Sequence, residues 1–257
     1  MKFIDWVAII GALAWLPPIL GYFRAWLTKP KVRILTNPAP ELGFSTYGPI
    51  LNMRIAFIVE RKDIVISGLK MKVRHESGSE QEFVWQGIVQ ALGRLNNQQI
   101  GNMPFERESS VLAIKAKTSD VEERFVRFQD ADFLDGKQDL DNKVASKIMY
   151  LKRQKNEVDL KALLKSDEMT DLYNFVKRSF SWKEGSYHIE FNIESPQEYD
   201  LIGNSYSFLL NQIDIEELEK NHELIELDYR YRVIPRSEGE PELAWAWRNP
   251  KLTSIDN

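Results

Sequence analysis

The stretch Tyr187-His188-Ile189-Glu190-Phe191-Asn192-Ile193-Glu194 decides how the rest of the chain is read. Tyr187, Ile189, Phe191 and Ile193 alternate with His188, Glu190, Asn192 and Glu194. Successive strand side chains point to opposite faces, so this period of two puts one apolar face on a core and one polar face in water. The same pattern recurs on the N-terminal side. Met53, Ile55, Phe57 and Val59 share a face in 53–59, and Val65, Leu69, Met71 and Val73 oppose Lys70, Lys72 and Arg74 in 64–75. Glu76-Ser77-Gly78-Ser79 is a turn, after which 81–89 returns with Phe83 and Trp85, so 64–89 reads as a hairpin. Further strands are expected at 110–117, 122–129, 204–213 and 223–234, the last with Tyr229 and Tyr231 opposite Asp228, Arg230 and Arg232.

Many short alternating strands separated by turn signals imply a mainly β chain folded as an antiparallel sandwich. Trp182-Lys183-Glu184-Gly185-Ser186-Tyr187, leading into the strand quoted above, resembles the immunoglobulin-like β-sandwich modules of bacterial proteins. That resemblance implies a fold type and no chemistry. Between the strands the period changes. Leu140, Val144, Ile148 and Leu151 recur at helical spacing, Asn156 can cap a helix holding Leu160 and Leu163, and Met169, Leu172, Tyr173 and Val176 follow. A helical insertion is therefore expected over 137–180. A short helix is expected over Asp214–Asn221, and 91–108 reads as a long surface loop.

The N-terminal Trp6–Phe23, WVAIIGALAWLPPILGYF, contains no charged residue. About 20 residues of helix span a bilayer core, so a single transmembrane helix is expected here. Trp6, Tyr22 and Trp26 would supply interfacial rings, Trp15 lies within the anchor, and Pro17 and Pro18 would kink it. Only Lys2 precedes the stretch with a basic side chain, whereas Arg24, Lys29, Lys31 and Arg33 follow it, which places the main domain on the cytoplasmic side. The expected organisation is an anchor over 1–27, a juxtamembrane linker over 28–40, a sandwich domain over 41–235 and a tail over 236–257. Lys70, Lys72 and Arg74 form a basic stripe on one strand face. With Arg24, Lys29, Lys31 and Arg33, they are candidates for contact with anionic lipid headgroups.

The chain has no cysteine, which removes disulfides, thiolate metal sites and cysteine nucleophiles together. A net charge of −4 gives no global basic field, and the basic-aromatic runs at Arg124–Phe128 and Tyr229–Arg232 send rings and charges to opposite strand faces, so nucleic acid is not an expected partner. The acidic run from Asp130 to Asp141 offers Asp130, Asp132, Asp135 and Asp141 as a weak cation candidate. Its register departs from a calcium loop, because Leu134 stands at the fifth position and Gly136 at the seventh. His75, His188 and His222 stand in no metal-binding spacing. No nucleophile elbow, phosphate loop or dinucleotide turn occurs, so no catalytic residue and no cofactor is expected. These observations lead to a membrane-anchored, non-catalytic interaction or sensing module at the cytoplasmic membrane face, acting as a scaffold with a protein partner or a second copy. The helical insertion and the 91–108 region are its expected contact regions. The alternatives are an enzyme with an unsigned, hydrolase-like site and an anchored binding domain in the periplasm or outside the cell.

Overall fold

The computed structural model describes residues 16–97, 101–109, 113–154, 157–234 and 236–255. A helix, α1 (Leu16–Leu27), leads into β1 (Lys31–Thr36), β2 (Glu41–Ser45) and β3 (Gly48–Glu60). After β4 (Ile64–Ile66) come β5 (Gly68–His75), β6 (Glu80–Asn97), β7 (Gly101–Ser109), β8 (Ile114–Ala116) and β9 (Glu122–Asp130). Three helices follow: α2 (Ala131–Arg153), α3 (Glu157–Leu163) and α4 (Asp167–Arg178). The chain returns through β10 (Gly185–Glu194), β11 (Asp200–Ile202) and β12 (Ser205–Leu210), then α5 (Gln212–Glu219), α6 (Asn221–Val233), β13 (Trp247–Arg248) and β14 (Thr253–Ser254).

Among the described residues, twelve strands belong to one sheet, whose main path is β11-β1-β3-β9-β6-β5-β10-β12-β14. The expectation of an immunoglobulin-like sandwich is therefore corrected: the architecture is mainly β, but the layers are one curled sheet rather than two. Two observations establish the curl. Phe128 on β9 and Phe191 on β10 are separated by β6 and β5 along the path, yet their ring centroids lie 6.1 Å apart across the interior. Tyr206 on β12 donates its hydroxyl to the carbonyl of Ile34 on β1 at 2.8 Å, joining opposite ends of the path. Alternation misled the sequence reading because it reports one buried face per strand, a property shared by sandwiches and curled sheets. The inward residues form one core that includes Ile34, Ile55, Phe57, Met71, Phe83, Phe128, Ile189 and Phe191.

The expected membrane anchor is also corrected. No helix among the described residues is long and apolar enough to cross a membrane. The described part of the expected span is α1, 12 residues long and opening on Leu16-Pro17-Pro18. Trp6 and Trp15 lie outside the described residues. The single-pass membrane placement, and the cytoplasmic location inferred from it, are withdrawn with the anchor.

Two further elements differ from the sequence reading. Residues 223–234 lie in a helix, not a strand: Ile225, Tyr229 and Val233 are buried at intervals of four, and that stripe outweighs the local alternation around Tyr229 and Tyr231. Within the 91–108 region, residues 91–97 and 101–108 are not loop but strand, paired between β6 and β7 from Ile88↔Ser109 to Asn97↔Gly101, and 98–100 lie outside the described residues. The helices between β9 and β10 span Ala131–Arg178, beginning directly at the end of β9.

Candidate functional site

Strand β9 ends at Asp130, whose carboxylate caps α2 by accepting from the Phe133 backbone N–H at 2.7 Å and also accepts from Gln81 Nε2 at 2.8 Å. Burial pushes the Asp130 carboxyl up, against the pull of those hydrogen bonds. The cap aims the first turns of α2 across the end of the sheet. Phe133, Lys137 and Val144 are its buried residues. Their spacing puts Lys137 on the inward stripe, where an apolar side chain is the rule.

Three elements converge on Lys137. Its ammonium pairs with Asp141 one turn on at 2.9 Å. It also lies 5.5 Å from the ring centroid of Tyr47, 5.7 Å from that of Phe133 and 5.7 Å from that of Tyr229. Tyr47 stands on the two-residue turn between β2 and β3, which Gly48 closes with φ of 75°. Tyr229 comes from α6. The Arg232 guanidinium packs 5.2 Å from the centroids of both Tyr47 and Tyr229, so two cations share two rings. Arg232 pairs with Asp228 at 2.5 Å and donates to Thr46 Oγ1 at 2.6 Å, while Thr46 donates to Asp228 at 2.5 Å. This triad pins the β2–β3 turn to α6.

The two cations respond differently to this setting. Burial holds the Lys137 amine below its ordinary value, with the Arg232 charge adding to the effect and Asp141 opposing it. Burial also works against Arg232, but Asp228 outweighs it and the guanidinium is raised. Burial lifts the Tyr229 phenol far above its normal range and pushes Tyr173 beside it up to about 12. The Tyr229 hydroxyl is buried without a hydrogen-bond partner. Beside this cluster, between α2 and the outer face of β6 and β9, opens a cleft of about 700 Å³. Tyr47, Phe133, Lys137 and Asp141 line it together with four carboxamides: Gln86, Gln129, Gln138 and Asn142. Carboxamides both donate and accept, so the wall suits a ligand carrying both kinds of group.

Of the sequence-derived site residues, only Asp135 and Asp141 line this cleft, with Asp130 at the start of the same helix. Pro17 and Pro18 lie in α1 with exposed side chains, while the side chains of Tyr22, Arg24 and Trp26 lie outside the described residues. Lys29 pairs with Glu198 at 2.7 Å and Lys31 with Glu60 at 3.6 Å, whereas Arg33 lines a separate groove of about 790 Å³ with Leu35, Leu201 and Leu252. The basic stripe of β5 faces acids on neighbouring strands. Lys70 pairs with Glu194 at 3.1 Å and Glu82 at 3.4 Å, Lys72 with Glu80 at 3.5 Å, and Arg74 with Glu80 at 2.6 Å. Asp130 is committed to its cap and Asp132 sits in the first turn of α2; among the described residues no three His, Asp or Glu side chains are placed to hold a metal. His75 is pinned between Ser77 Oγ at 2.8 Å and the Glu184 carbonyl at 3.0 Å, and His222 packs on the rings of Phe44 and Phe180.

Sequence reasoning missed Lys137, Tyr47, Tyr229 and Arg232 as a group. One signal was available: a lysine inside the apolar stripe of a helix. Comparison with known families, curated proteins and solved structures finds no match for this chain.

Proposed function

We propose that this protein is a non-catalytic sensing module that holds a small polar molecule in the cleft beside α2. The carrying observation is the lining of that cleft: four carboxamides and the half-exposed Tyr47 ring beside the Lys137–Asp141 pair, with Asp135 as a further carboxylate. Such a wall suits hydroxyl, amide or carbonyl groups better than an anion, which Asp135 opposes. Tyr47 also touches Arg232, which is tied to α6, so a molecule resting on Tyr47 bears on three elements at once. Amide-resolved NMR of the full chain with a set of primary amides, polyols and small neutral ketones tests the reading. The largest shifts are expected at Gln86, Gln129, Gln138 and Asn142. Shifts centred instead on the groove at Arg33 and Leu252, or none at millimolar fragment, overturn it.

A second reading, of a protein partner or second copy, is favoured by the β6–β7 hairpin. Strand β9 accompanies β6 only as far as Val89, and β7 pairs with β6 alone among the described strands. An unpaired backbone edge is a template for another strand. Hydrogen exchange at two protein concentrations tests this. Protection of the 101–109 amides that rises with concentration supports a second copy, and fast exchange at both concentrations removes it.

A further inference from the structure

We propose that Lys137 is a reactive amine that captures a small aldehyde or ketone in the α2 cleft as an imine; this rests on the reading of the cleft as the binding site. Lys137 lines the cleft between apolar side chains such as Leu134 and the carboxamides, yet only 6% of the residue is exposed. Its ammonium sits among the rings of Tyr47, Phe133 and Tyr229, which displace water from around it. The charged groups facing it are Asp141 in direct contact, Arg232 across the shared rings and Asp228 behind Arg232. Burial and the second cation both favour the neutral amine. Lysines desolvated in this way, or placed next to another cation, are the ones that form Schiff bases.

The groups present balance the step. Asp141 takes one proton from the ammonium. The freed lone pair on Nζ attacks the carbonyl carbon, the C–N bond forms, and the π pair moves to oxygen. A proton passing from nitrogen to that oxygen gives the carbinolamine. Asp141 then returns its proton to the hydroxyl, the C–O bond breaks, and water leaves. The product is a protonated imine with the same single positive charge as the starting ammonium. Asp141 and the three rings therefore stabilise the product as they stabilised the reactant.

Propanal with sodium cyanoborohydride at neutral pH, applied to the full chain, reads the proposal by site-resolved peptide mass spectrometry. Exposed Lys143 and Lys183 serve as internal comparators. Propylation of Lys137 is expected to run faster than that of either, because burial favours its neutral, nucleophilic form. Its rate is expected to level off below the ordinary lysine range. Lys137 labelling no faster than Lys143 and Lys183 overturns the proposal. Should polar fragments still shift the cleft amides in that case, only the imine falls and the binding reading stands. Loss of both signals removes the two together.

Discussion

Two aromatic clusters in this molecule face opposite demands. In the first, Trp182 stacks on Phe83 with centroids 5.8 Å apart, and Tyr187 bridges Trp182 to Phe208, lying 4.8 Å from the latter ring. Each polar atom there is satisfied: Trp182 Nε1 donates to the Gly43 carbonyl at 3.0 Å, and the Tyr187 hydroxyl accepts from the Lys183 N–H at 2.7 Å and donates to the Lys183 carbonyl at 3.0 Å. In the second, around Lys137, rings of similar size surround two cations and the Tyr229 hydroxyl stays unpartnered. The first cluster is organised for cohesion. The second retains buried polar groups that simple apolar packing would have avoided, and it borders a cleft.

The sharpest way to break that contrast is Trp182→Ala. It empties the largest fully buried side chain and removes a satisfied hydrogen bond, so unfolding free energy is expected to fall by about 3–5 kcal/mol in denaturant titration. A loss under 1 kcal/mol would mean that the stack is not the cohesive cluster. Gly48→Ala strikes the floor of the second cluster. Gly48 holds φ of 75°, and an added Cβ would lie 2.5 Å from Phe133 Cγ. A loss of about 2–3 kcal/mol is expected, with altered near-ultraviolet dichroism as Tyr47 shifts.

A matched pair of substitutions sharpens the comparison. Tyr187→Phe strands a backbone donor and acceptor and is expected to cost about 1–2 kcal/mol. Tyr229→Phe removes an unpartnered hydroxyl and is expected to raise stability by about 1 kcal/mol. If both lower stability equally, the two clusters are not different in kind. The smallest effect is expected from Lys137→Met. The side chain of Asp141 is 42% exposed and can rehydrate, so at pH 7 the change stays within about 1 kcal/mol. The folded Lys137 value is lowered beneath 10.5, so the folded state binds this proton less tightly than the unfolded chain. The wild type is therefore handicapped at neutral pH and recovers as pH rises toward 10.5, relative to the Met variant. Parallel stability–pH curves for the two proteins would show that Lys137 is not strained by burial.

The longer alternating strands and the helices between β9 and β10 were legible in the sequence because each is set by local periodicity. Tyr187–Glu194 is a strand, with Tyr187, Ile189, Phe191 and Ile193 inward. Leu172, Tyr173 and Val176 lie buried along one helix, α4. Where two periods competed, local reading failed. Around Tyr229 a run of alternating rings and charges masks the Ile225–Tyr229–Val233 stripe, and only packing on α4 and β2 decides for the helix. At the N-terminus, an uncharged composition suggested a span that no described helix is both long and apolar enough to make.

The candidate site was legible only in part. Asp130 as a helix cap follows from its place between a strand and a stretch of helical spacing, and Lys137 on the inward stripe of that helix is visible as an exception. That Tyr47, Lys137, Tyr229 and Arg232 meet is a long-range fact, because these residues lie up to 185 positions apart along the chain. The amino-acid sequence by itself determined which face of each strand is buried, since side-chain alternation is built into the backbone. Only the tertiary structure decided that the strands join in one curled sheet and that a lysine and an arginine share two tyrosine rings. Strand order and ring contacts depend on which surfaces remain to be covered once every local element has formed.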